Sequence, residues 1–582
     1  MKRKLYFISM IFLLIVNLQC NDKSIENNIL SNKRITKEIS GNQADTFFIE
    51  LEKNRFIFAS LFQMGIDLYV KIVDPQNNII HEIDQLKTGP EFISFTTAQS
   101  GKYKILVKPT NPIAGTGSYN IGLEKNIKTN HTKEEQVNQL FAEFDKDHNP
   151  GAAVAIVHNG NVIFKNGFGS SDIEKNTKIN PSTKLNICSI GKQFTAFAIA
   201  LLEEKGMLSV TDDVRKYIPE LNDFGSKITL LDLLNHSSGL REIADLLELS
   251  GKSSNGPFSE EDVMKIIYRQ KELNFQPGSE YLYCNTGYIL LAEVIERITK
   301  KDYTEWITEN IFKPLEMNNT QFYYDPDNFV TDFAWSYTLE RGNYKKELLK
   351  KVWYVGAGNV FSTVEDMCSW LINFDYPKLG DKELILKLGK KGNPMNKDGN
   401  DTYVYGRVNS KYKGLDYYWH GGGGYGYTAQ IIHFPENKFG AIILSNFVYG
   451  GVFNRARQIA DIYLVDHFPL SENTNSDINR EEYVSIKINN ILVKSLNLKN
   501  YEGTYYSEEL DIYYSIFHRG NNLVASNSIV GECSLTHVNG DIFSGDRWYF
   551  SNVKFKKSKK NEICEFTITN DRVRNIKFKK TH

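Results

Sequence analysis

The chain is 582 residues long, and at ~150 residues per domain it fits about two to four domains rather than one. Lysine and arginine number 69 against 70 acidic residues, a net charge of −1, so the charge balance gives no reason to expect nucleic acid or an anionic surface as partner. Hydrophobic residues make up 41%, with 35 Phe and 32 Tyr, ample for buried cores; His-rich tracts, CxxC pairs and HExxH are absent, which argues against a structural zinc site.

Residues 1–20 read as an export signal. Lys2, Arg3 and Lys4 precede a nearly unbroken apolar run from Leu5 to Leu18, too short for a membrane span of about 20 residues. Cys20 closes the run before Asn21, Asp22, Lys23 and Ser24. The arrangement resembles a bacterial lipoprotein signal, in which Cys20 would carry the lipid and anchor the chain to a membrane, although Asn17, Leu18 and Gln19 are not the usual small-residue approach; ordinary cleavage near this point is the alternative.

Residues 30–125 are strand-like. Leu68, Val70 and Ile72 alternate with Tyr69, Lys71 and Val73 and stop at the Asp74–Asn78 turn cluster; Tyr103, Ile105 and Val107 alternate in the same way. Short strands at regular spacing predict an antiparallel sandwich. QMGIDLYVKIVDPQNN, SGKYKILVKP and GTGSYNIGLE resemble the pre-peptidase C-terminal β-sandwich of secreted hydrolases, which implies an accessory or binding role.

Residues 126–135 read as a polar linker. Ala152 to Val157 and Val162 to Lys165 then predict a hairpin about Asn159-Gly160. From Ser189 the spacing of Phe194, Phe197, Ala198, Leu201 and Leu202 predicts a helix with one buried stripe, ended by Gly206 as a left-handed cap. Ser189 and Lys192 lie three apart on one face at its front. A serine needs a base to become a nucleophile, a lysine of lowered pKa can serve, and the helix start points N–H groups at a developing oxyanion.

Further on, His236 beside Ser237, Ser238 and Gly239 reads as a histidine fixing a loop. Tyr283-Cys284-Asn285, before a helix predicted from Gly287 to Thr299, puts two polar side chains on one side of a non-helical segment. Tyr283 can carry a proton if nearby cations lower its pKa, while Asn285 can donate and accept, holding Lys192 and a substrate amide. In YYWHGGGGYGYTAQIIHFPE, four glycines after His420 permit close backbone approach to a ligand or form a flexible loop; strands follow at Thr428–Phe434 and Gly440–Asn446.

Together, Ser-x-x-Lys, Tyr-x-Asn and His-Gly-Gly resemble the penicillin-recognising serine hydrolases, in their class C β-lactamase, D-Ala-D-Ala carboxypeptidase and esterase branch. GAAVAIVHNGNVIFKNGFG, ITLLDLLNHSSGL, FQPGSEYLYCNTGYILLAEVIE and GAGNVFSTVEDM follow that family's order over residues 135–465. The resemblance implies an antiparallel sheet flanked by helices with a helical subdomain, no cofactor and no metal, and a small-molecule or peptide substrate. It implies Ser189 as nucleophile, Lys192 as base, Tyr283 as proton shuttle, and Asn285 orienting Lys192 and substrate. His420 stands where many relatives carry the lysine of Lys-Thr-Gly. Gly421 and Gly422 fall in the substrate-binding strand, and the N–H groups of Ser189 and Gly423 would form the oxyanion hole. Gly421 lacks the hydroxyl that helps bind a β-lactam carboxylate, which favours an esterase or a D-peptidase over an efficient β-lactamase. Protonation of His420 should narrow that preference towards pH 6.

After a polar segment, Ser471 to Glu482, residues 496–582 return to hairpins. YEGTYYS and its run of hairpins resemble the lipocalin-like β-barrel appended to many β-lactamase-related proteins. Cys188, Cys284 and Cys368 read as buried thiols; the spacing of Cys533 and Cys564 leaves their pairing open. The fold expected is a multidomain chain: β-sandwich, α/β β-lactamase-like domain, small β-barrel. Two function classes stand open, an exported serine hydrolase and a penicillin-binding or cell-wall-binding sensor that acylates without turnover. Oligomeric state is not legible.

Overall fold

The computed structural model describes residues 27–28, 33–84, 89–112, 114–129, 132–142, 144, 148–324, 331–340, 343–390, 392–395, 399–448, 450–469 and 496–581. The export-signal stretch with Cys20, and Ser471 to Glu482, lie outside the described residues. The chain divides into two compact units, residues 1–130 and 131–582.

In the first unit a five-stranded and a four-stranded sheet, almost wholly antiparallel, enclose one apolar core. Leu68, Val70 and Ile72 are buried within it and Tyr69, Lys71 and Val73 are not, as the two-residue period requires. The stretch read as a linker is structured at both ends. The last strand runs on to Lys128, and the helix Lys133–Leu140 opens behind a Thr132–Glu135 capping box, a signature the polar composition disguises.

The second unit is built on an eight-stranded antiparallel sheet. Its strands are β1 (Ala152–His158), β2 (Asn161–Phe168), β3 (Asn393–Pro394), β4 (Thr402–Val404), β5 (Arg407–Tyr412), β6 (Leu415–Gly424), β7 (Tyr427–Phe434) and β8 (Phe439–Ser445), in the spatial order β2-β1-β8-β7-β6-β5-β4-β3. Asn159 (φ 51°) and Gly160 (φ 77°) make the left-handed pair that a tight hairpin turn demands.

Five helices frame the site: α1 (Lys192–Glu204), α2 (Ile243–Leu249), α3 (Asn285–Thr299), α4 (Val364–Asp375) and α5 (Val452–Leu464). α4 packs on β1 and β8, and α5 on β7 and β8. α1 differs from the amphipathic helix that its stripe predicts, since every residue from Lys192 to Leu202 is buried. It is wrapped on several sides: Phe194 meets Trp370 of α4 at 4.7 Å and Phe312 at 5.0 Å, and α3 lies along it. Gly206, at φ 69°, ends it as expected.

Eight strands between Gly503 and Lys580 close into a barrel. Its interior aromatics, among them Tyr505, Phe555, Phe566 and Phe578, belong to the same continuous apolar cluster as α1 and α3. Arg241, fully buried, donates to Glu509 Oε1 at 2.6 Å and to the Arg574 carbonyl at 3.0 Å, and the Tyr514 hydroxyl donates to the Leu249 carbonyl at 3.1 Å. Cys533 is buried, Cys564 is exposed, and both are free thiols. Among the described residues no helix is long and apolar enough to cross a membrane.

Candidate active site

Ser189 does not begin an α-helix. It lies in a single 3-10 turn, Cys188–Gly191, that leads into α1. Cys188 before it is forced to φ 49°, a conformation that a side-chain-bearing residue rarely adopts and that stores strain at functional sites. Ser189 and Lys192 still share a face. Lys192 Nζ lies 3.1 Å from Ser189 Oγ, 2.7 Å from Asn285 Oδ1 and 2.7 Å from the Ala357 carbonyl oxygen.

As an ammonium, Nζ donates to all three oxygens. As a neutral amine it keeps the two N–H bonds to Asn285 and Ala357, and its lone pair is left to accept the proton of Ser189. Burial pulls the Lys192 pKa down to about 7, opposed by the Glu242 carboxylate and assisted by the Arg572 guanidinium. A lysine poised near neutrality can take a proton in one step and return it in the next.

Tyr283 faces this pair, its hydroxyl hydrogen-bonded to Ser189 and its ring 4.9 Å from Lys192 Nζ. The expected lowering of its pKa is reversed. Burial pushes the phenol well above its ordinary value, and the hydrogen bond with Ser189 only partly offsets this, so Tyr283 keeps its proton at neutral pH. Asn285 is not in the non-helical segment either: α3 begins at Asn285, two residues earlier than predicted, with Cys284 extended before it. The amide therefore sits in the first helical turn. Glu242 accepts from both its backbone N–H and its Nδ2, the latter at 2.7 Å.

His236 does fix a loop. Its Nδ1 accepts from the Cys284 N–H at 3.1 Å, its carbonyl accepts from Leu282 N–H, and its ring centroid lies 4.2 Å from that of Tyr283, the planes tilted by 42°. Burial, reinforced by Lys192 and His420, holds its pKa well below the usual range.

The glycine run is a strand, not a flexible loop: Gly421 to Gly424 pair with Gln430 to Tyr427 of β7. β5 pairs with β6 only as far as Trp419, so His420–Gly424 have β7 on one side and a free edge on the other. That edge turns towards the Ser189 turn. A Cβ on Gly422 would lie 2.3 Å from the Ile187 carbonyl oxygen, whereas one on Gly423 would meet nothing within 4 Å. Gly422 is thus a packing glycine against the turn that carries Ser189, and Gly423 lies beside open space. On Gly421 a Cβ would come within 3.2 Å of Gln430 Oε1.

His420 is buried, accepts from the Tyr403 hydroxyl at Nε2 (2.9 Å) and donates from Nδ1 to the Gly421 carbonyl (2.6 Å). Burial, then the nearby Lys192, lowers its pKa to about 3. It is a neutral imidazole with both nitrogens engaged, and the expected protonation towards pH 6 does not follow. Among potential metal ligands in the described residues, Glu260, Glu293 and Glu296 bring carboxylate oxygens within 4.8 Å of one another; they are no part of the Ser189 network.

Sequence reasoning missed Glu242, Ala357 and Tyr403. Glu242 was within reach of it: it caps α2, accepting from Ala244 N–H, and follows the quoted HSSGL motif by two residues. Ala357 contributes only a carbonyl oxygen, which no side-chain pattern reports.

Residues 137–464 match the family model described as β-lactamase. The chain belongs to the β-lactamase family. Curated relatives include protein flp of Staphylococcus aureus (strain MRSA252), 29% identical over 327 residues, and a D-aminopeptidase of Brucella anthropi, 28% identical over 317. These matches span 55% and 54% of this β-lactamase-family chain and 64% and 59% of the relatives, so the chain covers less than two thirds of their length. Among solved structures, the octameric penicillin-binding protein homologue from Pyrococcus abyssi superposes with a TM-score of 0.52 at 25% identity, covering 77% of this chain and 99% of that one.

Proposed function

We propose that the chain hydrolyses esters or amides, D-amino-acid peptides among them, through an acyl-enzyme on Ser189. The carrying observation is the Lys192 amine with two donated bonds and Ser189 Oγ at 3.1 Å. In acylation, Lys192 Nζ takes the Ser189 proton as Oγ bonds to the acyl carbon, and the N–H groups of Ser189 and Gly423 receive the developing oxyanion. The carbon–leaving-group bond then breaks, Tyr283 gives its proton to the leaving atom, and Lys192 returns one to Tyr283. Water repeats the sequence to release the acid and regenerate Ser189.

A neutral His420 and a Gly421 without hydroxyl offer little to a substrate carboxylate, which favours neutral acyl esters and amino-terminal D-peptides over β-lactams. The similarity to a D-aminopeptidase points the same way. We place the enzyme outside the cytoplasm on the strength of the charged and apolar stretch from Lys2 to Leu18, with Cys20 as the site of any lipid anchor. The test is labelling of the full chain with a fluorophosphonate and with fluorescent penicillin, beside turnover of p-nitrophenyl esters, D-alanyl peptides and nitrocefin. Turnover with transient labelling at Ser189 is expected; persistent labelling without product would identify a sensor instead.

A further inference from the structure

The barrel sends one charged side chain into the surroundings of Lys192. In the turn after the strand Ile563–Thr569, Asn570 Oδ1 accepts from the N–H groups of Arg572 and Val573, and the Arg572 carbonyl accepts from Asn274 Nδ2 at 2.9 Å. This sets the guanidinium against two acids of the catalytic domain. Nη2 donates to Asp245 Oδ1 at 3.0 Å, and Nη1 lies 3.9 Å from Glu242 Oε1.

Glu242 and Asp245 side chains are 0% and 1% exposed. They sit three apart at the start of α2, on one face. Burial, reinforced by the nearby Glu242, pushes the Asp245 carboxyl up to about 7 against the pull of Arg572; two such acids repel one another when both ionise and are costly to bury without a cation. Among the described residues, Arg572 alone forms ion pairs with them. What Glu242 does next bears on the chemistry. By accepting from the Asn285 backbone N–H and Nδ2, it settles which end of the amide faces Lys192. Were the amide reversed, its NH₂ would oppose the lysine and its oxygen would oppose a carboxylate.

We propose that Arg572, supplied by the C-terminal barrel, is a positioning residue for the acyl-transfer centre: by balancing the buried Glu242–Asp245 pair it holds Glu242 on Asn285 and so keeps Asn285 Oδ1 on Lys192. This rests on Ser189 and Lys192 acting as proposed above. It makes the barrel part of the catalytic apparatus rather than an appended module.

The electrostatic consequence has a definite sign. Facing Lys192 are Glu242, which favours its cation, and Arg572, which disfavours it; the Cys188 and Cys284 thiols act weakly in the direction of Glu242. Tyr283 and Tyr288 present ring faces at 4.9 and 5.6 Å, and His236 and His420 are neutral. Removing Arg572 leaves Glu242 unopposed, so Lys192 keeps its proton to higher pH.

The experiment compares full-length wild type, Arg572→Gln, Arg572→Lys and Arg574→Gln. Arg574 is a neighbouring barrel arginine that pairs with the exposed Glu280 and touches none of these groups. Ester kcat and KM are followed from about pH 5 to 9, with fluorophosphonate labelling rates and thermal melts. Arg572→Gln should lower kcat at least ~10-fold with KM within ~3-fold, and move the acid limb up by at least ~0.5 pH units. Arg572→Lys should restore kcat to within ~3-fold, and Arg574→Gln should leave the limb in place. A folded Arg572→Gln with wild-type kcat and limb overturns the proposal, as does an equal shift in Arg574→Gln. If Arg572→Gln does not melt cooperatively, Arg572→Gln/Glu242→Gln/Asp245→Asn, lacking the cation and both acids, should fold with kcat within ~3-fold of Glu242→Gln/Asp245→Asn. A triple variant that stays unfolded or loses a further ~10-fold overturns it. A wild type unlabelled at Ser189 overturns both readings; a labelled wild type with an unmoved Arg572→Gln overturns this one alone.

Discussion

The two halves of β6 obey different rules within one strand. From Leu415 to Trp419 it is paired with β5, joined on the other side by β7 from Tyr418, and carries Tyr417, Tyr418 and Trp419, which pack on neighbours such as Phe434 and Phe453. From His420 to Gly424 it is paired on one side and carries almost no side chains. The first half builds a sheet; the second lends a backbone edge to whatever lies opposite. Bulk is useful where two neighbours need filling between them and harmful where a third segment, Ile187–Cys188, must come close. The contrast also fits the proposed chemistry: Ser189, Lys192 and Tyr283 belong to other elements, and the bare half would offer them backbone N–H groups rather than side chains.

The largest expected effect tests what faces the edge. Ser189→Ala should abolish covalent labelling and cost at least ~10³ in turnover, and Lys192→Ala should fall as low, since the two act as a unit. Lys192→Ala retaining more than about a tenth of wild-type activity would require another base. Next comes the edge itself. Gly422→Ala drives a Cβ to 2.3 Å from the Ile187 carbonyl oxygen; overpacking of this kind costs about 1–3 kcal/mol, and displacement of the Ser189 turn should take at least ~10-fold from kcat. Denaturant melts and ester kinetics on the same protein check both. Gly422→Ala with wild-type stability would mean the two segments are not in contact.

Substrate choice should show a smaller effect. A charged hydrogen bond to a β-lactam carboxylate is worth about 1.5–3 kcal/mol, so ester kcat/KM should exceed nitrocefin kcat/KM by at least ~10-fold. With His420 held at about 3, the ratio should stay flat between about pH 5.5 and 8, while both rates fall below about pH 7 as Lys192 takes up its proton. A ratio that closes on acidification would show a titrating group at the carboxylate position. Smallest of all is Gly423→Ala: with nothing within 4 Å of the added carbon, stability should change by less than ~0.5 kcal/mol, and any effect should appear in KM.

The motifs that carry chemistry were legible because their residue types are demanded in short, ordered spacings. Ser-x-x-Lys gave both partners, Tyr-x-Asn brought two more to the same nitrogen, and the glycines placed a strand. Periodicity likewise gave the sandwich, the hairpin at Asn159-Gly160 and the cap at Gly206. What escaped it depends on three-dimensional environment. Burial sets the protonation of Tyr283 and His420, and a string of letters does not report burial; both were assigned the wrong sign or range for that reason. Burial of α1 on all sides came from neighbours far along the chain. Arg572 escaped because an arginine in a turn of a distant barrel looks like any surface charge until the fold brings Glu242 and Asp245 beneath it.

The continuous apolar cluster shared by α1, α3 and the barrel has a consequence for how the protein comes apart. Ion pairs such as Arg241–Glu509 and Arg572–Asp245 cross the junction, but the apolar core runs through it unbroken, unlike the weakly held surface usual between domains, so the described residues of the second unit should lose structure as one cooperative block. The thiols report it: Cys188 and Cys284 adjoin Ser189 and Tyr283 in the chain, Cys368 lies in α4, Cys533 lies inside the barrel, and all four are buried, whereas Cys564 is exposed. In pulse alkylation under mild denaturant, Cys564 should be modified at once, and the four buried thiols should surrender together, on a single clock.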